Sequence, residues 1–137
     1  SVQIETCKFP LRVIRKIAAE GVSAGVAVLP STPIVQISEL LSYVDTILLL
    51  SNNDSFFIDW QDAEFLPETF RKIDQIRELA KEHSVQIAVD GGITKDIVPS
   101  LVKKGVDILV MGRAIFHGDI EKNVKNLKRI VDESTRL

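Results

Sequence analysis

Two hydrophobic patterns alternate along this chain. Short, continuous apolar runs, "AGVAVL" at 24–29, "TILLL" at 46–50, "VQIAV" at 85–89 and "VDILVM" at 106–111, recur between longer stretches in which apolar residues return every three or four positions. A continuous run of about five residues predicts a strand covered on both faces. A three-to-four spacing predicts a helix with one apolar stripe. "SVQI" at 1–4 is a further short strand candidate.

The stretches between the strands predict helices. "FPLRVIRKIAAEG" carries Leu11, Val13, Ile14, Ile17 and Ala18, with Pro10 suited to a first turn and Gly21 to a stop. "TPIVQISELLSYV" opens on a Thr cap and Pro33. "LPETFRKIDQIRELAKEH" places Phe70, Ile73, Ile76, Leu79 and Ala80 on one stripe. "TKDIVPSLVKKG" is a further helix, and "IEKNVKNLKRIVDES" turns Val124, Leu127, Ile130 and Val131 inward. Only 51–65, "SNNDSFFIDWQDAEF", is polar and irregular.

Strand and helix therefore alternate through 1–137, which reads as a single domain with no linker or low-complexity tract. Parallel strands need helical crossovers, so repeated βα units predict an α/β fold, either a doubly wound sheet or a (β/α)8 TIM barrel.

Composition narrows the function classes. The chain is 45% hydrophobic and 26% charged, with a formal net charge of −2. Lys and Arg are scattered, which argues against a nucleic-acid surface. No apolar run approaches the roughly 20 residues of a membrane helix. The first residues lack a basic segment followed by an apolar run, so no secretory signal is expected. Cys7 is the one cysteine, so no disulfide closes within the chain and a cytoplasmic location is expected.

Candidate chemistry concentrates at two glycine turns. Asp90-Gly91-Gly92 follows "VQIAV", and Gly112-Arg113 follows "VDILVM". In a βα barrel, sites lie at the C-terminal ends of the strands, which directs Asp90 into the mouth. Residues without side chains let backbone N–H groups approach an anion, and two such strand ends side by side make a phosphate cradle. Both turns also suit an ordinary structural role, and Asp-Gly is a common turn pair whose carboxylate bonds the following amides.

At this point the chain resembles a family. "GVSAGVAVLPSTPI", "VDTILLL", "FLPETFRKIDQIREL", "IAVDGGITKD" and "GVDILVMGRAIF" are similar to the C-terminal five βα units of the ribulose-phosphate 3-epimerase family, of which allulose-6-phosphate 3-epimerase is a close relative. The Pro-x-Thr-Pro stretch is the more particular of these, whereas the glycine turns are shared by several phosphate-binding barrels. The resemblance implies a (β/α)8 barrel of the ribulose-phosphate-binding type, with this chain supplying about strands 4–8 and their helices. It implies inversion of carbon 3 of a ketose phosphate, ribulose 5-phosphate/xylulose 5-phosphate or a hexulose 6-phosphate. Two carboxylates would exchange the proton through a metal-stabilised enediolate. Asp90 would be one acid/base and a ligand of a divalent metal (Zn, Fe, Mn or Co). Gly91, Gly92, Gly112 and Arg113 would hold the phosphate. The expected partner is a small sugar phosphate, with no nucleic acid or membrane, in a homo-oligomer.

The chain also departs from that pattern. The first three strands of the family, which carry the second catalytic Asp and the remaining metal ligands, have no counterpart here, so the chain is expected to be a C-terminal portion. The family's glycine-rich loop after strand six is replaced by 51–65, which has no glycine. That loop is therefore expected to leave the phosphate uncontacted. Phe56, Phe57 and Trp60 are expected to pack on protein, and Asp54, Asp59, Asp62 and Glu64 to form a solvated acidic loop. His83 falls at the opposite end of the barrel, His117 reads as a surface residue on the site's side, and Cys7 reads as inert. Two other functions stay open: a different phosphate-barrel enzyme such as a hexulose-phosphate synthase, and a non-catalytic relative that only binds a sugar phosphate.

Overall fold

The computed structural model describes residues 1–52 and 64–136. In chain order the elements are β1 (Val2–Gln3), α1 (Pro10–Ala19), β2 (Gly25–Val28), a 3-10 helix (Ile34–Tyr43), β3 (Thr46–Leu50), α2 (Glu68–Leu79), β4 (Gln86–Asp90), α3 (Val98–Lys103), β5 (Ile108–Val110), α4 (Arg113–Phe116) and α5 (Ile120–Thr135). The five strands form one sheet in the order β1-β2-β3-β4-β5. Every pairing is parallel. Consecutive parallel strands joined by helices are the repeat of a (β/α)8 barrel, here present as its five-strand part. No helix among the described residues is long and apolar enough to cross a membrane.

The two faces of the sheet differ, and this difference aims the site. Side chains alternate along a strand. Val26, Val28, Ile47, Leu49, Ile87 and Val89 lie on one face, packed with Ile14, Ile37, Ile73, Ile76 and Leu101 from the helices. Ala27, Leu48, Ala88 and Ile108 are register partners on the other face. That face is covered unevenly. Ala27 and Ala88 are buried, Leu48 is half-buried, and Ile108 and Val110 of the edge strand are 38% and 42% exposed. Burial on both faces thus holds for β2 but not for β3 or β5. Asp90 shares the parity of Ala88 and pairs with Leu50 and Val110. Its side chain therefore belongs to the inner, helix-free face, at the C-terminal rim.

The opposite rim is tied down by a repeated device. Val44-Asp45 and Val106-Asp107 immediately precede β3 and β5. The Asp45 carboxylate accepts the Ala24 N–H at 2.7 Å, and the Asp107 carboxylate accepts the Ile87 N–H at 2.7 Å. Each aspartate thereby satisfies a backbone donor of the preceding strand region. Arg77 of α2 joins Asp107 at 2.8 Å and also donates to the Gly105 carbonyl. These bonds hold the end of the sheet remote from Asp90, where a βα barrel keeps its stabilising contacts.

Several sequence expectations are corrected. Residues 34–43 form a 3-10 helix bounded by Pro33, and no side chain caps it. Thr32 is instead buried against the loop that follows β1. In α2 the stripe runs Thr69, Lys72, Ile73 and Ile76, with Ala80 following and Leu79 left 44% exposed. In α5 the expected stripe holds, with Leu127, Ile130 and Val131 half-buried against the core and Val124 also half-buried, while Ser134 is that helix's buried residue. β1 and β5 are shorter than the runs 1–4 and 106–111.

Candidate active site

The turn after β4 is built by Ser51. This residue, fully buried at the end of β3, donates its N–H to the Asp90 carbonyl at 2.7 Å. Its hydroxyl donates to the Asp90 carbonyl at 2.9 Å and to the Gly91 carbonyl at 2.7 Å. The bend is thus fixed by a neighbouring strand rather than by the Asp90 carboxylate, which leaves that carboxylate facing the mouth. Burial raises the Asp90 pKa above the ordinary aspartate value, and no hydrogen bond from the described residues offsets it.

The glycines divide into two kinds. Gly91 and Gly92 have φ of +118° and +66°, the left-handed region that side chains disfavour. A Cβ on Gly91 would lie 2.7 Å from the Asn52 carboxamide, and one on Gly92 would collide with the Phe65 backbone nitrogen. The fold itself therefore requires both. Gly112 has φ of −85°, and a Cβ there would meet none of the described residues within 4 Å. No described residue demands glycine at 112, and Gly112 lines the cleft.

One cleft of about 250 Å³ brings together Asp90, Gly91, Gly92, Gly112 and Arg113, together with Asn52. The five residues singled out in the sequence are thus neighbours. Gly112 precedes α4, and its carbonyl accepts the N–H groups of Ile115 and Phe116. The first N–H groups of a helical turn point away from its own carbonyls, toward the N-terminal side. Arg113 is half-buried at the rim. The arrangement supplies backbone donors, a guanidinium and a carboxylate of raised proton affinity along one wall.

Around this cleft the other candidates separate. His117 is exposed and lines the neighbouring cleft instead. His83 is exposed between α2 and β4, at the remote rim. Cys7 is free and half-buried in the loop after β1. Phe56, Phe57, Trp60, Asp54, Asp59 and Asp62 lie outside the described residues, and Glu64 is exposed.

A divalent metal does not fit the described residues alone. Asp90 offers oxygen donors, but a hard or borderline cation held by protein needs several ligands. Among the described residues no three His, Cys, Asp or Glu side chains converge on one point.

Comparison with known proteins decides the lineage. Residues 1–116 match the family described as the ribulose-phosphate 3 epimerase family. The chain belongs to the ribulose-phosphate 3-epimerase family. It is 34% identical over 134 residues to the ribulose-phosphate 3-epimerase of Methanocaldococcus jannaschii, covering 96% of this chain and 56% of that protein. It is 30% identical over 132 residues to that of Bacillus subtilis, with coverage of 93% and 59%. For the enzyme of Aquifex aeolicus the values are 32% over 134 residues, 96% and 59%. The chain therefore spans somewhat more than half the length of these relatives.

Three features of the structure lie beyond what the sequence pattern shows. Ser51 and Asn52 begin the polar stretch 51–65, so the pattern grouped them with a loop when they continue β3 into the site. Asn52 lines the cleft, whereas the expectation for this stretch concerned contact with the phosphate alone. The third feature is a clamp on the turn after β2. Lys72 is buried and donates to the Leu29 and Thr32 carbonyls at 2.8 Å and 2.6 Å. On the other side the Glu5 carboxylate accepts the Leu29 N–H at 2.8 Å. Burial alone would raise the Glu5 pKa, but hydrogen bonds from the Thr32 hydroxyl and the Leu29 amide prevail and hold it below the ordinary value. The signal for Lys72 was its spacing: positions 69, 72, 73, 76 and 80 are one helical face.

Proposed function

We propose that the complete protein inverts carbon 3 of a ketose phosphate, interconverting ribulose 5-phosphate and xylulose 5-phosphate, with Asp90 as one of its two proton-transfer groups. The observation that carries this reading is the Asp90 carboxylate on the inner face beside Gly91, Gly92, Gly112 and Arg113. Family membership supports it.

The proton on carbon 3 is acidified by the ketone at carbon 2. The Asp90 carboxylate takes that proton, and the C–H electron pair moves into the carbonyl to give an enediolate. A proton delivered to the opposite face of carbon 3 restores the ketone with inverted configuration. The burial that raises the proton affinity of Asp90 brings it toward the range where one group both accepts and returns a proton. The family resemblance implies a second group on the strands that have no counterpart here, and Glu5 is committed to the turn after β2. The phosphate rests on the amides of the 90–92 and 112–114 turns. The Arg113 guanidinium adds a charge-assisted bond.

The test is conversion of ribulose 5-phosphate to xylulose 5-phosphate by the purified complete protein, with a hexulose 6-phosphate as competitor. Conversion of the pentulose supports this reading. Conversion of the hexulose alone moves the substrate by one carbon. Phosphate binding without conversion of either establishes a binding protein.

A further inference from the structure

A second cleft adjoins the first across Arg113. It holds about 540 Å³ between the turn 93–95, α4 and the start of α5. Its floor is apolar, with Ile93, Ala114 and Leu127, and its rim carries Lys95, Arg113 and His117. The chain has 19 acidic against 17 basic residues, yet among the described residues no carboxylate lines this cleft. A concave surface with one sign of charge and low-dielectric walls concentrates ions of the opposite sign.

The walls are set in advance. The Asn123 carboxamide donates to the Ile115 carbonyl at 3.0 Å and to the His117 carbonyl at 2.8 Å. These bonds lock α4 and His117 onto α5. The Asp119 carboxylate is turned to the amide of Lys122 at 3.0 Å, where it caps α5. A rim fixed before binding loses less freedom when a ligand arrives.

We propose that this cleft is a second binding site for a small organic anion, a phosphate monoester or carboxylate with an apolar body. The anionic group meets Lys95 and His117, and the apolar part lies on Ile93, Ala114 and Leu127. Because Arg113 borders both clefts, occupancy here bears on the phosphate cradle. The proposal does not depend on the epimerase reaction.

Phenyl phosphate is the probe, since it pairs an aromatic ring with a dianion. In the complete protein, labelled for amide NMR, it is titrated against inorganic phosphate. The expected result is that phenyl phosphate shifts the signals of Lys95, His117, Asn123 and Leu127. In a Lys95→Ala/His117→Ala variant its affinity falls about tenfold, as for loss of a hydrogen bond to a charged group at a partly exposed site. The shifts of Gly91 and Gly112 with inorganic phosphate stay unchanged in that variant. Shifts from phenyl phosphate confined to 90–92 and 112–113, or unaltered affinity in the variant, overturn the proposal. Failure of the epimerase assay leaves this result untouched, so the two readings fail separately.

Discussion

Ser51 holds the backbone of Asp90 from the adjacent strand, through its amide at 2.7 Å and its hydroxyl at 2.9 Å, and the same hydroxyl reaches Gly91 at 2.7 Å. The candidate base is thus oriented by a residue that is not among the described residues lining the cleft. Ser51→Ala keeps the amide bond but removes both hydroxyl bonds at a fully buried position. Removing one partner of a buried hydrogen bond costs about 1–3 kcal/mol. Denaturant unfolding of the complete protein is expected to show a loss in that range. A loss below about 0.5 kcal/mol, the usual span of surface changes, would mean that the hydroxyl does not secure the turn.

The glycines separate fold from function. Gly92→Ala forces a side chain into the left-handed region and onto the Phe65 backbone. Such incompatible substitutions cost more than about 1 kcal/mol, and thermal unfolding is expected to register this. Gly112→Ala meets none of the described residues at an ordinary φ, so stability is expected to change by less than about 0.5 kcal/mol. Its effect is expected on phosphate affinity, measured by calorimetry, because the new methyl group stands in the cleft. Equal phosphate affinity in Gly112→Ala would remove that position from the cradle.

The parts of this fold that the sequence made legible were those with a repeating period. The strands and most helices announced themselves because Val26, Val28, Ile47, Leu49, Ile87 and Val89 face a continuous helix layer. Asp90 and the two glycine turns were legible because chemistry needs a carboxylate and bare amides at strand ends. The 3-10 helix was read as an ordinary helix because apolar spacing does not report which carbonyl each amide selects. Lys72 was hidden because its residue type signals solvent, although its position lies on the buried stripe. The aspartates at 45 and 107 went unremarked because their partners, Ala24 and Ile87, are about 20 residues away in sequence.

The sheet edges carry their own prediction. β1 and β5 each pair on one side, and Ile108 and Val110 of β5 are 38% and 42% exposed. Unpaired apolar edges invite association, and five parallel strands do not close a barrel. The 137-residue chain by itself is expected to sediment as associated species, whereas in the complete protein the amides of β5 are expected to resist hydrogen exchange. A folded, monodisperse monomer of residues 1–137 would show that these edges need no cover.

Proton exchange at carbon 3 tests the central claim most directly. Ribulose 5-phosphate is incubated in deuterium oxide with the complete protein and with its Asp90→Asn variant, and deuterium at carbon 3 is followed by NMR. The native protein is expected to exchange that position. Asp90→Asn is expected to lose at least about 10²-fold in rate, the scale of one acid/base group. Stability supplies the control, with a definite sign. Because burial raises the Asp90 pKa, the unfolded chain ionises first. Its contribution to stability is present below the ordinary aspartate value near 3.9 and is lost as pH rises through the folded value. The asparagine variant has no such loss, so at neutral pH it is expected to be at least as stable as the native protein. Lost exchange with retained stability is the result this account predicts. Native-like exchange in Asp90→Asn, with or without earlier melting, would contradict it.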